Sequence, residues 1–261
     1  MRAILNILEH DFRMFFRYKW WLAGLISMNL ADLFIMAVVY TGMIREDIFG
    51  ELFNYFKFFS PGITITALFA AAFMIGREVN FEQRRSFSHY MLSLPMTRLE
   101  LAVGRVLSGG IRGMVYMSPL LLTTFIFLGL PTLPQLLIIL GVLFAIAIGI
   151  SGLSIALAVS TKSFEKFVTS RGVVYYLLFF ASTIFYPMRS PQLLTQLQGI
   201  VPQPIITLAL INPLSCGADL IRSYLLNEPP FSIDFIVNVL IFSAIFTVGS
   251  AVAYIKMIER D

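Results

Sequence analysis

The chain has 261 residues, of which 58% are hydrophobic and only 13% are charged. Soluble domains usually carry about a quarter charged residues, so this chain has too few charges to cover a water-facing surface. The composition excludes an ordinary soluble domain and predicts an integral membrane protein whose outer surface faces lipid.

The excess of basic residues fits membrane topology better than nucleic-acid binding. The formal net charge is +4, but the Lys and Arg residues cluster between apolar segments and do not alternate with aromatic residues on a polar face. One cysteine, Cys216, excludes an internal disulfide and a multi-cysteine metal site. We therefore expect membrane lipid around the chain and no nucleic-acid partner.

The first predicted element is an amphipathic helix within residues 1–20, where apolar side chains recur at helical spacing. Its apolar face consists of Ile4, Ile7, Leu8, Phe12, Phe15 and Phe16, and its charged face of Glu9, Arg13 and Arg17. This pattern predicts a helix that lies in the inner membrane interface. The helix serves either as an anchor, ended by the aromatic pair Trp20 and Trp21, or as a coupling element.

Six apolar runs are long enough to cross a bilayer, which takes roughly 20 helical residues. They are Leu22–Met43, Phe58–Ile75, Leu107–Leu128, Leu136–Ser160, Val168–Tyr186 and Phe235–Ile255. The first run is longer than the roughly 7 to 15 apolar residues of a signal peptide, and no small-residue cleavage site follows it, so we expect it to be retained as a span. Six spans place both termini on the same side of the membrane.

The distribution of Lys and Arg predicts which side that is. With the N-terminus on the cytoplasmic side, fourteen of the 19 basic residues lie at the inner ends of the spans: Arg2, Arg13, Arg17, Lys19, Arg77, Arg84, Arg85, Arg98, Arg105, Lys162, Lys166, Arg171, Lys256 and Arg260. Only Arg45, Lys57, Arg189 and Arg222 lie outside, and Arg112 falls within a span. By the positive-inside rule, both termini are predicted to be cytoplasmic.

The cytoplasmic segment 77–101 joins the second and third spans and carries an unusual density of charge. Its apolar residues Phe87, Tyr90, Met91 and Leu94 share one helical face, which predicts a short amphipathic helix. From the residues alone, this helix is either a docking element for a soluble partner or a solvated loop helix.

The end of this segment has the pattern of a helix stop followed by a helix start. Pro95 ends the short helix. Thr97 and Glu100 then have the spacing of a capping box, in which each side chain bonds to the other residue's backbone N–H. A second helix is therefore predicted to start at Thr97 and to continue into the third span.

The long outer region 187–234 is divided by prolines, so no single straight helix crosses the membrane there. Its segments are nevertheless quite apolar. The stretch 204–226 is about long enough to span, but Pro213 and Gly217 interrupt it, and Asn212, Asp219 and Arg222 make it polar for lipid. We expect short helices that dip into the outer leaflet against the bundle, where protein shelters their non-helical backbone. A seventh span is the alternative, and it would place the C-terminus outside.

Motifs of catalysis and nucleotide binding were not found. The chain has no GxSxG, HExxH or CxxC motif, and His10 and His89 lie in separate segments without further ligands at metal spacing. Gly104 and Gly109 have phosphate-loop spacing, but the Lys and Ser/Thr of a Walker A motif are missing. The sequence therefore predicts neither an enzyme nor a metal or nucleotide site in this chain.

Two ionisable residues fall inside predicted spans, where such residues are candidates for function. Asp32 lies near mid-membrane, and with Asn29 it forms either a structural hydrogen-bonded pair against a neighbouring helix or part of a pathway. Arg112 is close to the inner end of its span, and we expect its guanidinium to extend to the interface.

Small residues recur every four positions in the third and fourth spans, which favours close helix packing. They are Gly109 and Gly113, then Gly141, Ala145 and Gly149, and then Gly152, Ala156 and Ser160. We expect these faces to pack within one chain rather than to form a dimer seam.

Three stretches resemble the membrane permease subunits of type-2 ATP-binding-cassette exporters. "SPGITITALFAAAFMIGREVNFEQRRSFSHYMLSLPMTRLELAVGRVLSG" resembles the second span, the cytoplasmic coupling segment and the start of the third span in that family. "FFASTIFYPMRSPQLLTQLQGIVP" is similar to the fifth span and the outer re-entrant hairpin, and "INPLSCGADLIRSYLL" to the segment before the last span. The helix before the first span matches the family's interfacial connecting helix.

The resemblance implies an all-α membrane domain over residues 1–261 with six spans, a coupling helix and an outer re-entrant hairpin. The hairpin would include Pro187, Asn212, Pro213 and Arg222. The residues implied to dock into a cytoplasmic ATPase are Phe81, Glu82, Arg84, Arg85, Phe87, Tyr90, Met91 and Leu94, followed by the cap of Pro95, Thr97 and Glu100.

The resemblance also implies the partners. Two permeases, either copies or paralogues, would assemble with two nucleotide-binding subunits in a prokaryotic cell membrane, and ATP and Mg²⁺ would bind to those partners. The alternative is a stand-alone secondary transporter or channel that uses Asp32, and a third possibility is a membrane enzyme or a structural subunit.

Overall fold

The computed structural model describes residues 2–17, 19–43, 55–84, 97–161, 163–186, 188–189 and 201–258. Within them the fold is helical. Its helices are α1 (Arg2–Arg17), α2 (Lys19–Met43), α3 (Tyr55–Arg84), α4 (Arg98–Leu128), α5 (Leu133–Ser160), α6 (Phe164–Phe180), α7 (Gln203–Ile211), α8 (Pro213–Leu225) and α9 (Asp234–Ile258).

Helix α3 is the centre of the bundle. Of its most apolar 18-residue stretch, 89% is buried inside the protein, whereas the corresponding figure for α9 is 22%. Helices α2, α4, α5, α6 and α8 all pack against α3, and α9 packs chiefly against α5. Because α3 is surrounded by other helices, no side of it faces water. Apolar residues therefore occur on every face of α3.

Small residues let the central helices approach closely. A side chain at Gly76 of α3 would collide with Ser154 of α5, and one at Gly152 of α5 would collide with the backbone of Phe246 in α9. Ser154 also donates a hydrogen bond to the Phe73 carbonyl oxygen of α3. Such contacts provide the van der Waals packing that holds helices together in lipid.

The prediction that the small-residue faces pack within one chain is confirmed at four glycines. Gly109 and Gly113 of α4 contact α3 and α5, and Gly149 and Gly152 of α5 contact α9. The prediction is wrong for Gly141, which has no neighbour within 4 Å of an added Cβ atom.

Four helices are long and apolar enough to cross a membrane, namely α3, α4, α5 and α9, and they contain the predicted second, third, fourth and sixth spans. The predicted first span lies in α2, whose described apolar stretch is Leu22–Met36. Helices α7 and α8 are bent by 67° at their junction, and counting this pair as one broken span gives up to five. The number of six spans remains a prediction.

The predicted fifth span, Val168–Tyr186, is shorter as a helix than expected. Helix α6 ends at Phe180, and residues 181–186 leave the helical conformation. Polar side chains of the α7–α8 region bind the carbonyl groups at this break. The Asn212 side-chain amide donates to two of them, the carbonyl oxygens of Leu178 and Ala181, each at 2.6 Å. The C-terminal end of α6 is therefore completed by hydrogen bonds from another element, which residue hydropathy does not reveal.

Helix α1 packs on α4. Its predicted apolar face is confirmed at Ile7 and Phe15, which are buried, but Phe16 is 43% exposed. The centre of the buried face is an acid, Asp11, of which only 1% is exposed. The Asp11 side chain is part of a buried cluster of charged residues.

Candidate functional site

A cluster of buried charges joins α1, α3 and α4, and we call it the Arg105 cluster: Asp11, Glu78, Glu82, Arg105 and Arg112. Arg105 of α4 donates to the Asp11 carboxylate of α1 at 2.7 Å and to the Glu82 carboxylate of α3 at 2.6 Å. The Arg105 side chain is 1% exposed. A buried guanidinium requires such partners, because an unpaired charge in the protein interior costs several kcal/mol.

Arg112 binds the same two helices two turns further along α4. Its guanidinium donates to the Glu78 carboxylate at 2.6 Å and to the Asp11 carbonyl oxygen at 2.7 Å. Because the side chain is 1% exposed, the prediction that it extends to the membrane interface is wrong. The ion pair with Glu78 supplies the countercharge that the interface would otherwise provide.

The charged state of Asp11 is set by its surroundings. Burial alone would raise the pKa of this carboxyl group, but the Arg105 and Arg112 guanidinium groups favour the anion and hold the pKa below its ordinary value. Asp11 therefore carries the negative charge that pairs with the Arg105 guanidinium.

The arrangement follows from helical spacing. Glu78 and Glu82 are four residues apart on α3, and Arg105 and Arg112 are seven residues apart on α4, so each pair lies on one helix face. Asp11 sits on the buried face of α1 between Ile7 and Phe15. These spacings, and an acid on an otherwise apolar helix face, are the signals by which the cluster can be found in the sequence.

The predicted coupling residues border this cluster. Glu82 faces Arg105 within the chain, and the Phe81 ring stacks on Phe164 of α6 at a centroid distance of 4.8 Å. Arg84 is exposed at the end of α3. The other predicted coupling residues, Arg85, Phe87, Tyr90, Met91 and Leu94, and the predicted helix stop at Pro95, lie outside the described residues.

The predicted capping box at the start of α4 is confirmed. The Thr97 hydroxyl oxygen accepts from the Glu100 backbone N–H at 3.2 Å, and the Glu100 carboxylate accepts from the Thr97 backbone N–H at 3.0 Å. Helix α4 therefore has a fixed start immediately after the segment 85–96, and α3 ends at Arg84 immediately before it.

A second buried cluster lies at the opposite end of α3, where α8 meets the break after α6. Arg222 of α8 donates to the Asp219 carboxylate at 2.7 Å and to the carbonyl oxygens of Phe58, Thr183 and Ile184 at 2.9, 2.9 and 3.2 Å. Arg189 binds the other oxygen of Asp219 at 2.7 Å. Both arginines were predicted to lie outside the membrane, whereas the Arg222 side chain is only 1% exposed and is held within the bundle.

The predicted hairpin residues have structural roles around that cluster. Asn212 caps α8 by accepting from the Leu214 backbone N–H at 3.0 Å, and Pro213 occupies the first turn of α8. The fourth predicted hairpin residue, Pro187, lies outside the described residues. Asn212 and Arg222 together hold the non-helical segment 181–186 against the bundle.

The two candidate pathway residues of α2 differ in their surroundings. Asn29 donates to the Tyr116 hydroxyl of α4 at 2.7 Å and to the Leu25 carbonyl at 2.9 Å, so it packs α2 on α4. Asp32 is half-buried near the middle of α2 and has no hydrogen bond or ion pair to any residue that the structure describes.

Comparison with known proteins identifies the family. No curated protein matches the chain. A family model described as "ABC-2 type transporter" matches residues 3–226, which include every helix from α1 to α8. The chain belongs to the ABC-2 type transporter family, in which it is a membrane permease component.

Proposed function

We propose that the chain is the permease subunit of an ATP-driven exporter and that a separate cytoplasmic subunit binds ATP with Mg²⁺ and hydrolyses it. Two permeases, as copies or as paralogues, assemble with two such subunits in a prokaryotic cell membrane. In this proposal the chain crosses the membrane six times with both termini in the cytoplasm, and the α7–α8 pair is an outer re-entrant hairpin.

The observation that carries the proposal is the position of the Arg105 cluster. The segment 85–96 connects the end of α3 to the start of α4. Arg105 and Arg112 of α4 form ion pairs with α3, and they bind α1 through the Asp11 carboxylate and the Asp11 carbonyl oxygen, respectively. A force applied to this segment by a soluble partner therefore acts on three helices at once. Without these ion pairs, the same force would displace the segment without moving the attached helices together.

The energetic role of the ATPase follows from thermodynamic linkage between ATP binding and the arrangement of the permease helices. ATP binding can change the permease only by favouring one of two global arrangements, and hydrolysis then removes that preference. Packed helices held by buried ion pairs suit this role, because the pairs resist intermediate arrangements that leave a charge unpaired.

The test is co-expression of the chain with the ATPase of a neighbouring gene, followed by purification and reconstitution into liposomes. We expect the two proteins to purify together and ATP hydrolysis to be stimulated by the transported substrate, which a compound screen would identify. A permease that purifies alone under conditions that preserve its fold would contradict the proposal.

A stand-alone secondary transporter is the second candidate, and the unpaired Asp32 favours it. This candidate requires solute transport by the isolated chain in ATP-free liposomes and the loss of that transport on neutralising Asp32. Transport only in the presence of the ATPase and ATP rejects it.

A further inference from the structure

Helices α3 and α6 pack against each other through a row of aromatic side chains, which we call the α3–α6 seam. Its ring pairs are Phe81 with Phe164, Phe73 with Phe167 and Phe69 with Tyr175, at centroid distances of 4.8, 6.5 and 5.4 Å. Residues four positions apart lie on the same side of a helix. The ring pairs therefore fix which side of α3 faces α6, and which side of α6 faces α3.

Each helix also brings one arginine to this seam. Arg77 is four residues after Phe73 and four residues before Phe81, so it lies on the side of α3 that faces α6. Arg171 is four residues after Phe167 on α6, and its guanidinium lies over the Phe73 ring at 5.8 Å from the centroid. The two guanidinium groups carry like charges that repel each other. The seam thus places two positive charges beside one aromatic ring.

No acid neutralises these two charges within the described part of the chain, where neither Arg77 nor Arg171 forms an ion pair or a side-chain hydrogen bond. Glu78, which follows Arg77, binds Arg112 instead, at 2.6 Å. Glu165 of α6 is exposed and lies on the side of that helix away from the seam. Both arginines are half-buried, so their charges lack both full hydration and a countercharge, which is costly.

The seam borders an open apolar surface of α6. A Cβ atom added at Gly172, the residue after Arg171, would meet no atom within 4 Å. Val168, one helical turn before Gly172, is exposed, and Val173 and Leu177 are each more than half exposed. Exposed apolar residues of this kind suit contact with lipid chains. A charged site and a surface for acyl chains therefore lie side by side on one helix.

We propose that Arg77 and Arg171 bind the phosphate group of an anionic phospholipid whose acyl chains lie along the exposed apolar side of α6. Guanidinium groups present paired N–H donors that match phosphate oxygens, and each such bond is charge-assisted. A headgroup with its own ammonium group is disfavoured, because two guanidinium groups repel it. The site therefore selects an anionic lipid over a zwitterionic one.

The bound lipid would help to hold α6 in place. Helix α6 buries one side chain, Phe167, so few apolar contacts attach it to the bundle. A phosphate between Arg77 and Arg171 replaces their mutual repulsion by two attractions, one to each helix. The proposed topology places this lipid in the cytoplasmic leaflet, but the binding itself does not depend on the proposed function.

The experiment measures lipid binding to the purified, delipidated permease in detergent without any ATPase. The probe is phosphatidylglycerol, and native mass spectrometry gives the Kd from the fraction of protein that carries the lipid. Phosphatidylcholine with the same acyl chains is the matched control lipid, and inorganic phosphate tests whether the headgroup chemistry alone suffices. Lys256→Gln, at an exposed basic residue near the end of α9, is the matched control variant.

We expect the wild-type chain and Lys256→Gln to bind phosphatidylglycerol equally and more tightly than phosphatidylcholine. Arg77→Gln and Arg171→Gln should each raise the Kd for phosphatidylglycerol about tenfold, because each removes one charge-assisted contact. Phosphatidylglycerol should raise the Tm of the wild-type chain but not that of the double variant. Without lipid, the double variant should be at least as stable as the wild-type chain, since it lacks the repulsion.

Three results would overturn the inference: an unchanged Kd for phosphatidylglycerol in the double variant, equal affinity of the wild-type chain for the two lipids, or equal protection by inorganic phosphate. The last result would assign the site to a soluble phosphate. A double variant that unfolds at a lower Tm without lipid would mean that the arginines hold the fold themselves. If the lipid binds as expected but no ATPase assembles with the chain, the proposed function fails and the lipid site stands.

Discussion

Arg105 and Asp11 are 94 positions apart in the sequence, yet their side chains form a 2.7 Å ion pair that is sealed from solvent on both sides. The pair fixes α1, which also contributes Ile7 and Phe15 to the apolar core, to α4. The attachment of α1 to the bundle therefore depends on charge as well as on apolar packing.

Replacing Arg105 should therefore destabilise the protein strongly. Arg105→Gln removes the ion-pair partner of the buried Asp11 and of the partly buried Glu82, and removing one partner of a buried pair typically costs about 3–5 kcal/mol. Thermal unfolding in detergent should show a clear decrease in Tm. The control Arg13→Gln removes an exposed pair with Glu9, which is worth about 0–1 kcal/mol; equal Tm values for the two variants would contradict the structural role of the cluster.

The close approach of α3 and α5 predicts a steep dependence on side-chain size at Gly76. Gly76→Ala places a Cβ atom against the backbone and hydroxyl of Ser154, and overpacking of this kind typically costs about 1–3 kcal/mol. Gly141→Ala, also in a helix interior but with open space around it, should be neutral or slightly stabilising. Unfolding in detergent measures both, and a Gly76→Ala variant as stable as Gly141→Ala would show that the two helices do not meet there.

We expect Arg222 to be needed to hold the non-helical segment 181–186, which follows α6, against the bundle. Arg222→Lys retains the charge, but a single ammonium group cannot reach Asp219 and the carbonyl oxygens of Phe58, Thr183 and Ile184 together. We expect a lower Tm and faster proteolysis near residues 181–189. The control is Lys256→Arg, the opposite exchange at an exposed position, which should change neither Tm nor proteolysis. Unchanged proteolysis in Arg222→Lys would contradict the role of Arg222 in holding residues 181–186.

Charge reversal at the end of α3 tests the coupling segment. The double variant Arg84→Glu, Arg85→Glu should lose ATPase association or substrate-stimulated ATP hydrolysis while it inserts into the membrane normally. The double variant Arg13→Glu, Lys256→Glu makes the same change of charge at other exposed positions and should retain both. Normal coupling in the first variant would mean that the segment does not contact the ATPase through these side chains.

Local features of the fold were predictable from the sequence because neighbouring residues determine them. The capping box of Thr97 and Glu100 depends on residues three positions apart, and the apolar face of α1 depends on helical periodicity. Four of the predicted spans were found as long apolar helices for the same reason, since length and hydropathy suffice to recognise them.

The buried clusters were not predictable in this way. Counting Lys and Arg by position places Arg105 and Arg222 among the charges at the ends of the spans. The count does not reveal their burial, because Arg105 pairs with Asp11, 94 positions away, and Arg222 also binds backbone carbonyl groups of distant segments. Arg112 was expected to reach the interface because it lies close to the inner end of its span, but it pairs with Glu78 of another helix. Tertiary packing decides whether a charge near a span end is solvated or paired.

The central claim is that a cytoplasmic ATPase drives this permease through the segment between α3 and α4, and cross-linking tests it most directly. A cysteine is placed at Tyr90 in a Cys216→Ala background, and the complex with the ATPase is treated with a short bifunctional maleimide in the presence and absence of ATP. The control cysteine is placed at Leu130, which is 85% exposed after the other end of α4. We expect Tyr90→Cys to cross-link to the ATPase with a yield that changes on ATP binding, and Leu130→Cys not to cross-link. No cross-link at Tyr90 in an intact complex, or an equal yield at Leu130, would contradict the account.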